Sequence, residues 1–252
     1  NLSTSGSGAK TLTLSGSGTG EFAGTIGNSA GGNTALTKSG AGAWTLSGAN
    51  SLSGATTVDA GTLELANTTG QALSSTVSVA VGATAALLLS ESDQVNNNAT
   101  VTLSGGTITR GSGVSEVFGN LNVAAASFID FASGTAGSLR FGTYARDTNS
   151  ALLTVQNFFQ GNSLVFSQNL VSAGFINSSS SGSYNNGYFA FGDGFTTTWN
   201  GTDTFTITAI PEPTAYAAAV GLLLLCLFSR RKRGRSGQYP AGSTFVISRV
   251  RS

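Results

Sequence analysis

Leucine, threonine and serine alternate with a strict two-residue period through the first half of this chain, and glycine ends each run. Lys10–Thr11–Leu12–Thr13–Leu14–Ser15–Gly16 is echoed 32 residues later by Ala43–Trp44–Thr45–Leu46–Ser47–Gly48, and more faintly by Thr100–Val101–Thr102–Leu103–Ser104–Gly105. Leu12 and Leu14, Trp44 and Leu46, Val101 and Leu103 fall on one side of each run, with Thr or Ser on the other. That is the pattern of a half-buried strand, because successive side chains of a strand point to opposite faces. Thr56–Thr57–Val58 and Thr62–Leu63–Glu64–Leu65 read as two further strands joined by a turn at Asp59–Ala60–Gly61. Short strands repeated as similar units, with no helix-period stretch among them, predict a parallel β-solenoid for the N-terminal half. An antiparallel sandwich, which also alternates short strands and turns, is the competing architecture.

The filling of the core is expected to change near residue 115. Of fifteen phenylalanines only Phe22 precedes that point, and twelve lie between Phe118 and Phe205. Runs such as Ser127–Phe131, Ser138–Phe141 and Ser163–Phe166 read as strands carrying Phe128, Phe131, Phe141 and Phe166 into a bulkier core. The expected organisation is a β-strand repeat region at 1–114 and an aromatic-rich β region at 115–209 that caps the stack, since an open solenoid end leaves an unpaired edge. Disorder is a poor reading: 9% of residues are charged and 40% are hydrophobic, the reverse of a chain that cannot build a core.

The chain has one cysteine, Cys226, and no histidine, which excludes an internal disulfide, Cys/His zinc sites and histidine-dependent triads. Carboxylates occur singly (Asp59, Glu64, Glu91, Asp93, Asp130, Asp147, Asp193, Asp203) and form no acid–base motif, so they read as turn and strand-surface residues. Glu91–Ser92–Asp93 beside Asn96–Asn97–Asn98 offers oxygen ligands of the kind calcium takes, but without a calcium-loop pattern. The frequent Gly-x-Gly pairs precede no helix and are turn chemistry, not phosphate loops. No catalytic residue, cofactor or metal is expected. Two other classes compete with a structural or adhesive role. One is a polysaccharide-active enzyme, which needs converging carboxylates. The other is a carbohydrate-binding module, which needs an outward aromatic row drawn from Trp44, Trp199, Tyr184 and Tyr188.

The C-terminal segment has its own grammar. Ile210–Pro211–Glu212–Pro213 is followed by the uncharged run Ala215–Phe228 and then by Arg230–Arg231–Lys232–Arg233. Fourteen residues make about 21 Å of helix, short of an ordinary hydrocarbon core but enough for a thinned one. The run has no polar face, so it reads as spanning rather than lying in the interface. Five basic and eleven acidic side chains precede residue 230, for a net −6; the remainder carries seven basic ones and no acid. An acidic body and a basic tail on either side of an apolar run follow the positive-inside rule, so the cluster reads as a membrane stop, not a nucleic-acid site. The two prolines lack amide donors and leave an extended peptide just outside the membrane.

Pro211–Glu212–Pro213, the apolar run and the basic cluster, in that order, resemble the PEP-CTERM protein-sorting domain. The resemblance implies a sorting signal at 210–235, recognised by an exosortase-type membrane enzyme that cleaves near the motif. Members end soon after the basic cluster, whereas this chain continues to Ser252, so 236–252 is a basic extension on the cytoplasmic side. A second resemblance covers 36–65: Leu36–Asn50, then Gly54–Val58 and Gly61–Leu63, is similar to the autotransporter-associated β-strand repeat. Such repeats occur in passenger regions expected to form right-handed β-helices. Together these resemblances imply an exported bacterial protein of the cell surface or extracellular matrix, in the inner membrane during transit, with exopolysaccharide as an expected partner.

Overall fold

Each alternating run becomes a strand, and the strands stack in parallel on their successors instead of turning back as hairpins. The computed structural model describes residues 6–147, 151–170, 173, 189–191, 195–199 and 205–209. Among them every regular element is a strand. The first turns of chain contain β1 (Lys10–Leu14), β2 (Thr19–Phe22), β3 (Thr34–Lys38) and β4 (Ala43–Leu46). Next come the long β5 (Thr56–Leu65) and β6 (Ser78–Leu89), then β7 (Thr100–Ser104), β8 (Thr107–Arg110) and β9 (Ser115–Val117). Beyond these lie β10 (Leu121–Ala125), β11 (Ser127–Asp130), β12 (Ser138–Phe141), β13 (Tyr144–Arg146), β14 (Leu153–Gln156) and β15 (Ser163–Phe166). The last are β16 (Phe189–Phe191), β17 (Phe195–Trp199) and β18 (Phe205–Ala209).

The pairing makes this a parallel β-solenoid of about seven coils. One face is the ladder β1, β3, the first half of β5, the first half of β6, β7, β10 and β13. A second is β2, β4, the second halves of β5 and β6, β8, β11, β14 and β16. The third begins as isolated bridges, Asn50 to Leu73 to Val95, and becomes a true ladder at β9, β12 and β15. At its far side β18 pairs antiparallel with β15, and β17 antiparallel with β18. Strand pairing continues without a break across residues 114–115, where β6 pairs with both β7 and β8, and these with β10 and β11.

From β1 to β15 stacked partners are separated by 19 residues (Ala43 opposite Thr62) to 26 (Ser127 opposite Leu153), and in the last coil, where Leu153 lies opposite Phe189, by 36. The 32-residue echo in the sequence is therefore not the coil period. Lys10–Leu14 stacks on Thr34–Lys38, while its echo at Ala43–Leu46 lies on the next face. The segment read as two strands and a turn at 56–65 is one strand. It bends round a corner at a bulge between Val58 and Ala60, and Gly61 has φ +66° there. Glycine is needed at this corner because a Cβ on Gly61 would overlap the Gly42 carbonyl oxygen, and one on Gly42 that of Gly18.

The core is a set of columns that run along the stack. Leu36, Val79, Val101 and Leu121 lie in one, and Leu46, Leu65 and Leu89 in another, all with no exposed surface. Each such side chain contributes about 1.5–3 kcal/mol of burial. From residue 115 the columns become aromatic, as expected for most of the phenylalanines. Phe118 stacks on Phe141 at 5.1 Å and Phe141 on Phe166 at 5.7 Å. Phe131 meets Phe158 edge-on at 4.9 Å, and Tyr144 lies 4.7 Å from Phe189. Phe128 differs: alternation from the buried Ile129 turns it outward, where it is half-buried on the second face.

Candidate functional site

The least expected side chains are three fully buried charges, each held by main-chain groups. Lys38 is the inward residue after Leu36 on β3, and Arg110 the inward residue after Ile108 on β8. Both sit where a strand meets a corner, and their side chains reach the carbonyls of that corner. The Lys38 ammonium donates to the carbonyls of Ser39 (3.1 Å), Gly40 (2.8 Å) and Ala60 (2.9 Å). Arg110 donates to Gly111 (2.7 Å), Phe131 (2.8 Å), Val114 (3.3 Å) and Thr135 (3.3 Å), and to Asn162 Oδ1 at 3.0 Å. Its guanidinium also lies 5.3 Å from the Phe131 ring centroid. Burial lowers the pKa of both groups, since the charged form loses its water.

Glu116 is the acidic counterpart. It points inward from β9, is 1% exposed, and accepts the amides of Gln94 (2.6 Å) and Val95 (3.1 Å) from the coil before it. Burial raises its pKa to about 7 against these hydrogen bonds, with a further push from the nearby Asp93 carboxylate. Gln94 continues the column. Its amide oxygen accepts the Asn67 amide at 2.7 Å, and its nitrogen donates to the carbonyls of Asn67, Gly70 and Ser92. Two coils before Gln94, Asn50 accepts from Ile26 (2.8 Å) and donates to Gly48 and Ala72. These side chains supply the bonds that the third face lacks before its strands form, because buried main-chain groups must be paired somewhere.

The carboxylates singled out in the sequence are spread over separate coils. Glu64 accepts the Thr45 (2.8 Å) and Ser90 (2.6 Å) hydroxyls on the outside of the second face. Asp130 accepts the Ala132 amide and the Asn157 side chain. Asp93, at φ +54°, accepts from Gln71, which also donates to the Val95 carbonyl. Asn96 closes a turn on the Asn98 amide. The oxygen-rich 91–98 segment is thus tied to Gln71 and to its own turn, and among the described residues no group of three His, Cys, Asp or Glu side chains converges. Asp59, Glu91 and Asp147 are exposed, while Asp193 and Asp203 lie outside the described residues.

Trp44 is directed inward: half-buried, it packs against the core, donates to the Ser15 carbonyl at 3.2 Å and covers Gly20, whose missing Cβ makes room for the ring. It is not part of an outward aromatic row. Tyr184, Tyr188 and the side chain of Trp199 lie outside the described residues. So do the sorting motif Pro211, Glu212 and Pro213, the apolar run, and Arg230, Arg231, Lys232 and Arg233. Among the described residues no helix is long and apolar enough to cross a membrane.

The outer surfaces of the faces differ. On the second, the outward column Glu21, Thr45, Glu64, Leu88, Thr109, Asp130 carries charge, and the Thr45 hydroxyl bonds to Glu64. On the first, the outward column Thr13, Thr37, Thr57, Ala80, Thr102, Asn122 carries none.

Neither the curated proteins nor the solved structures contain a match to this chain. Residues 36–65 match a family model described as Passenger-associated-transport-repeat. In the structure this match begins on β3, passes through β4, and ends on β5 after stacking Thr56 on Leu36 and Leu63 on Trp44. The repeat is one coil of the solenoid together with the start of the next.

Proposed function

We propose that the chain is an exported, non-enzymatic protein of passenger type, displayed at the cell surface or in the extracellular matrix with a structural or adhesive role. The observation that carries this reading is the coincidence of a passenger-associated repeat with one coil of a parallel β-solenoid. Such a stack grows coil by coil from local contacts, so a chain threaded through a membrane can fold progressively on the far side. The segment 210–235 acts as the sorting signal: Pro211–Glu212–Pro213 is presented to an exosortase-type enzyme while Ala215–Phe228 holds the membrane and Arg230–Arg233 stays on the cytoplasmic side. The body, comprising the repeat region 1–114 and the aromatic-rich region 115–209, then lies outside, in contact with exopolysaccharide. Protease added to intact host cells tests the location. Peptides from residues 6–170 are expected in the supernatant of unbroken cells, and their appearance only after lysis would contradict export.

A further inference from the structure

We propose that the outer surface of the first face, the one built on β1, β3, β5, β6, β7, β10 and β13, binds the ordered water lattice of an ice crystal. Seven parallel strands at about 4.8 Å spacing give a rigid array about 29 Å long. Thr13, Thr37, Thr57 and Thr102 line up along one outward column. Thr11, Ser78 and Thr100 belong to the column two residues before it, about 6.6 Å away along the strand. The outward positions of both columns are Thr, Ser, Ala or Asn, with no charge and no aromatic ring.

Most hydroxyls of this face are unengaged, Thr143, which donates to Asn120 at the last coil, being an exception. Those of Thr11, Thr13, Thr37, Thr57, Thr100 and Thr102 make no hydrogen bond to any described residue, whereas Thr45 and Ser90 on the second face bond to Glu64. Each threonine therefore presents a hydroxyl and a methyl at a fixed point of a two-dimensional grid. Tetrahedral water joined by hydrogen bonds of about 2.75 Å places second-neighbour oxygens about 4.5 Å apart, and its puckered layers repeat at about 7.3 Å. The strand grid comes within about a tenth of both spacings. A flexible glycan would have to be ordered sugar by sugar to match so regular an array, at an entropic cost for each unit. It would also find no aromatic platform. A solid lattice is already ordered, and a charged partner would find nothing to pair with. This inference does not depend on export.

Ice grown slowly from a dilute solution of the full chain tests it. The wild-type protein is expected to be enriched in the ice at least about tenfold over an inert protein. The folded triple variant Thr37→Lys/Thr57→Lys/Thr102→Lys is expected to be excluded, and Thr109→Lys, on the second face, to partition like wild type. Circular dichroism and melting show whether the triple variant has kept the solenoid. Exclusion of the wild type from ice, with or without retention on microcrystalline cellulose, would overturn the proposal. So would equal partitioning of a folded triple variant.

Discussion

Arg110→Met is expected to destabilise the solenoid by at least about 4 kcal/mol, a loss that would lower the melting temperature by roughly 10 °C or more. Exchanging a buried ion pair for apolar residues can be neutral when both charges leave together. Arg110 offers no such escape, because its acceptors are the main-chain carbonyls of Gly111, Val114, Phe131 and Thr135, together with Asn162 Oδ1. When the guanidinium goes, the Gly111 and Thr135 carbonyls keep the Val114 and Gly113 amides, but those of Phe131 and Val114 lose this donor, at about 1–3 kcal/mol each where no water can reach them. Arg110→Lys keeps a charge but cannot fork across two coils, so it should fall between wild type and Arg110→Met. Asn162 also accepts the Gly137 amide, so Asn162→Ala combined with Arg110→Met should cost less than the sum of the two. Urea denaturation of the wild type, the three single variants and the double variant measures this, and a loss below about 1 kcal/mol for Arg110→Met would show that water solvates this corner.

The Glu116 carboxyl should make stability fall as pH rises from mildly acid to neutral. Its pKa is raised to about 7 in the fold, against an ordinary value of 4.5. Between those values the folded chain holds a proton that the unfolded chain has released, so raising the pH favours unfolding. The contribution is fully present below about pH 4.5, is lost progressively up to about pH 7, and is flat above. The shift corresponds to about 3 kcal/mol. Glu116→Gln is neutral at every pH, so it should remove about that much from the pH dependence measured between pH 4.5 and 8. Its amide can still accept one of the Gln94 and Val95 amides, so the variant is expected to fold. Identical pH slopes for wild type and variant would mean that Glu116 is ionised throughout, its burial offset by those hydrogen bonds.

Much of the architecture was legible because alternation is a direct imprint of the pleat. The expected strands at 10–14, 43–46, 100–104, 127–130, 138–141 and 163–166 are all present, and Leu12, Leu14, Trp44, Leu46, Val101 and Leu103 do face the core. The stacking period was not legible. Every strand-and-corner unit follows the same rule, apolar alternation and then glycine, whichever face it occupies. The resemblance of 10–16 to 43–48 therefore reports shared local structure on two different faces, not two strands stacked on each other. Phe128 was placed in the core because it lies in a phenylalanine-rich stretch, but its phase relative to Ile129 turns it outward.

The buried charges escaped notice for a related reason. Lys38 and Arg110 stand in phase with Leu36 and Ile108, and a charge at an inward register position is the signal that marks them. Read as isolated basic residues they look like surface. Glu116 lies on a strand of three residues, too short for alternation to establish which way it points. The Gln94–Asn67 pairing links residues 27 apart, and only the stacked coils bring them together. The free hydroxyls of the first face were equally hidden, since Thr37 and Thr45 are alike in sequence until the neighbouring coil places Glu64 beside one of them.

Intact-mass measurement of the protein recovered from the envelope and the culture medium of its host tests the central claim most directly, that this solenoid is an exported body sorted through its C-terminal segment. A mature form is expected in the medium or at the surface, with its last residue close to Pro211–Glu212–Pro213. A single form that retains Ser252 and remains in the membrane fraction would contradict it.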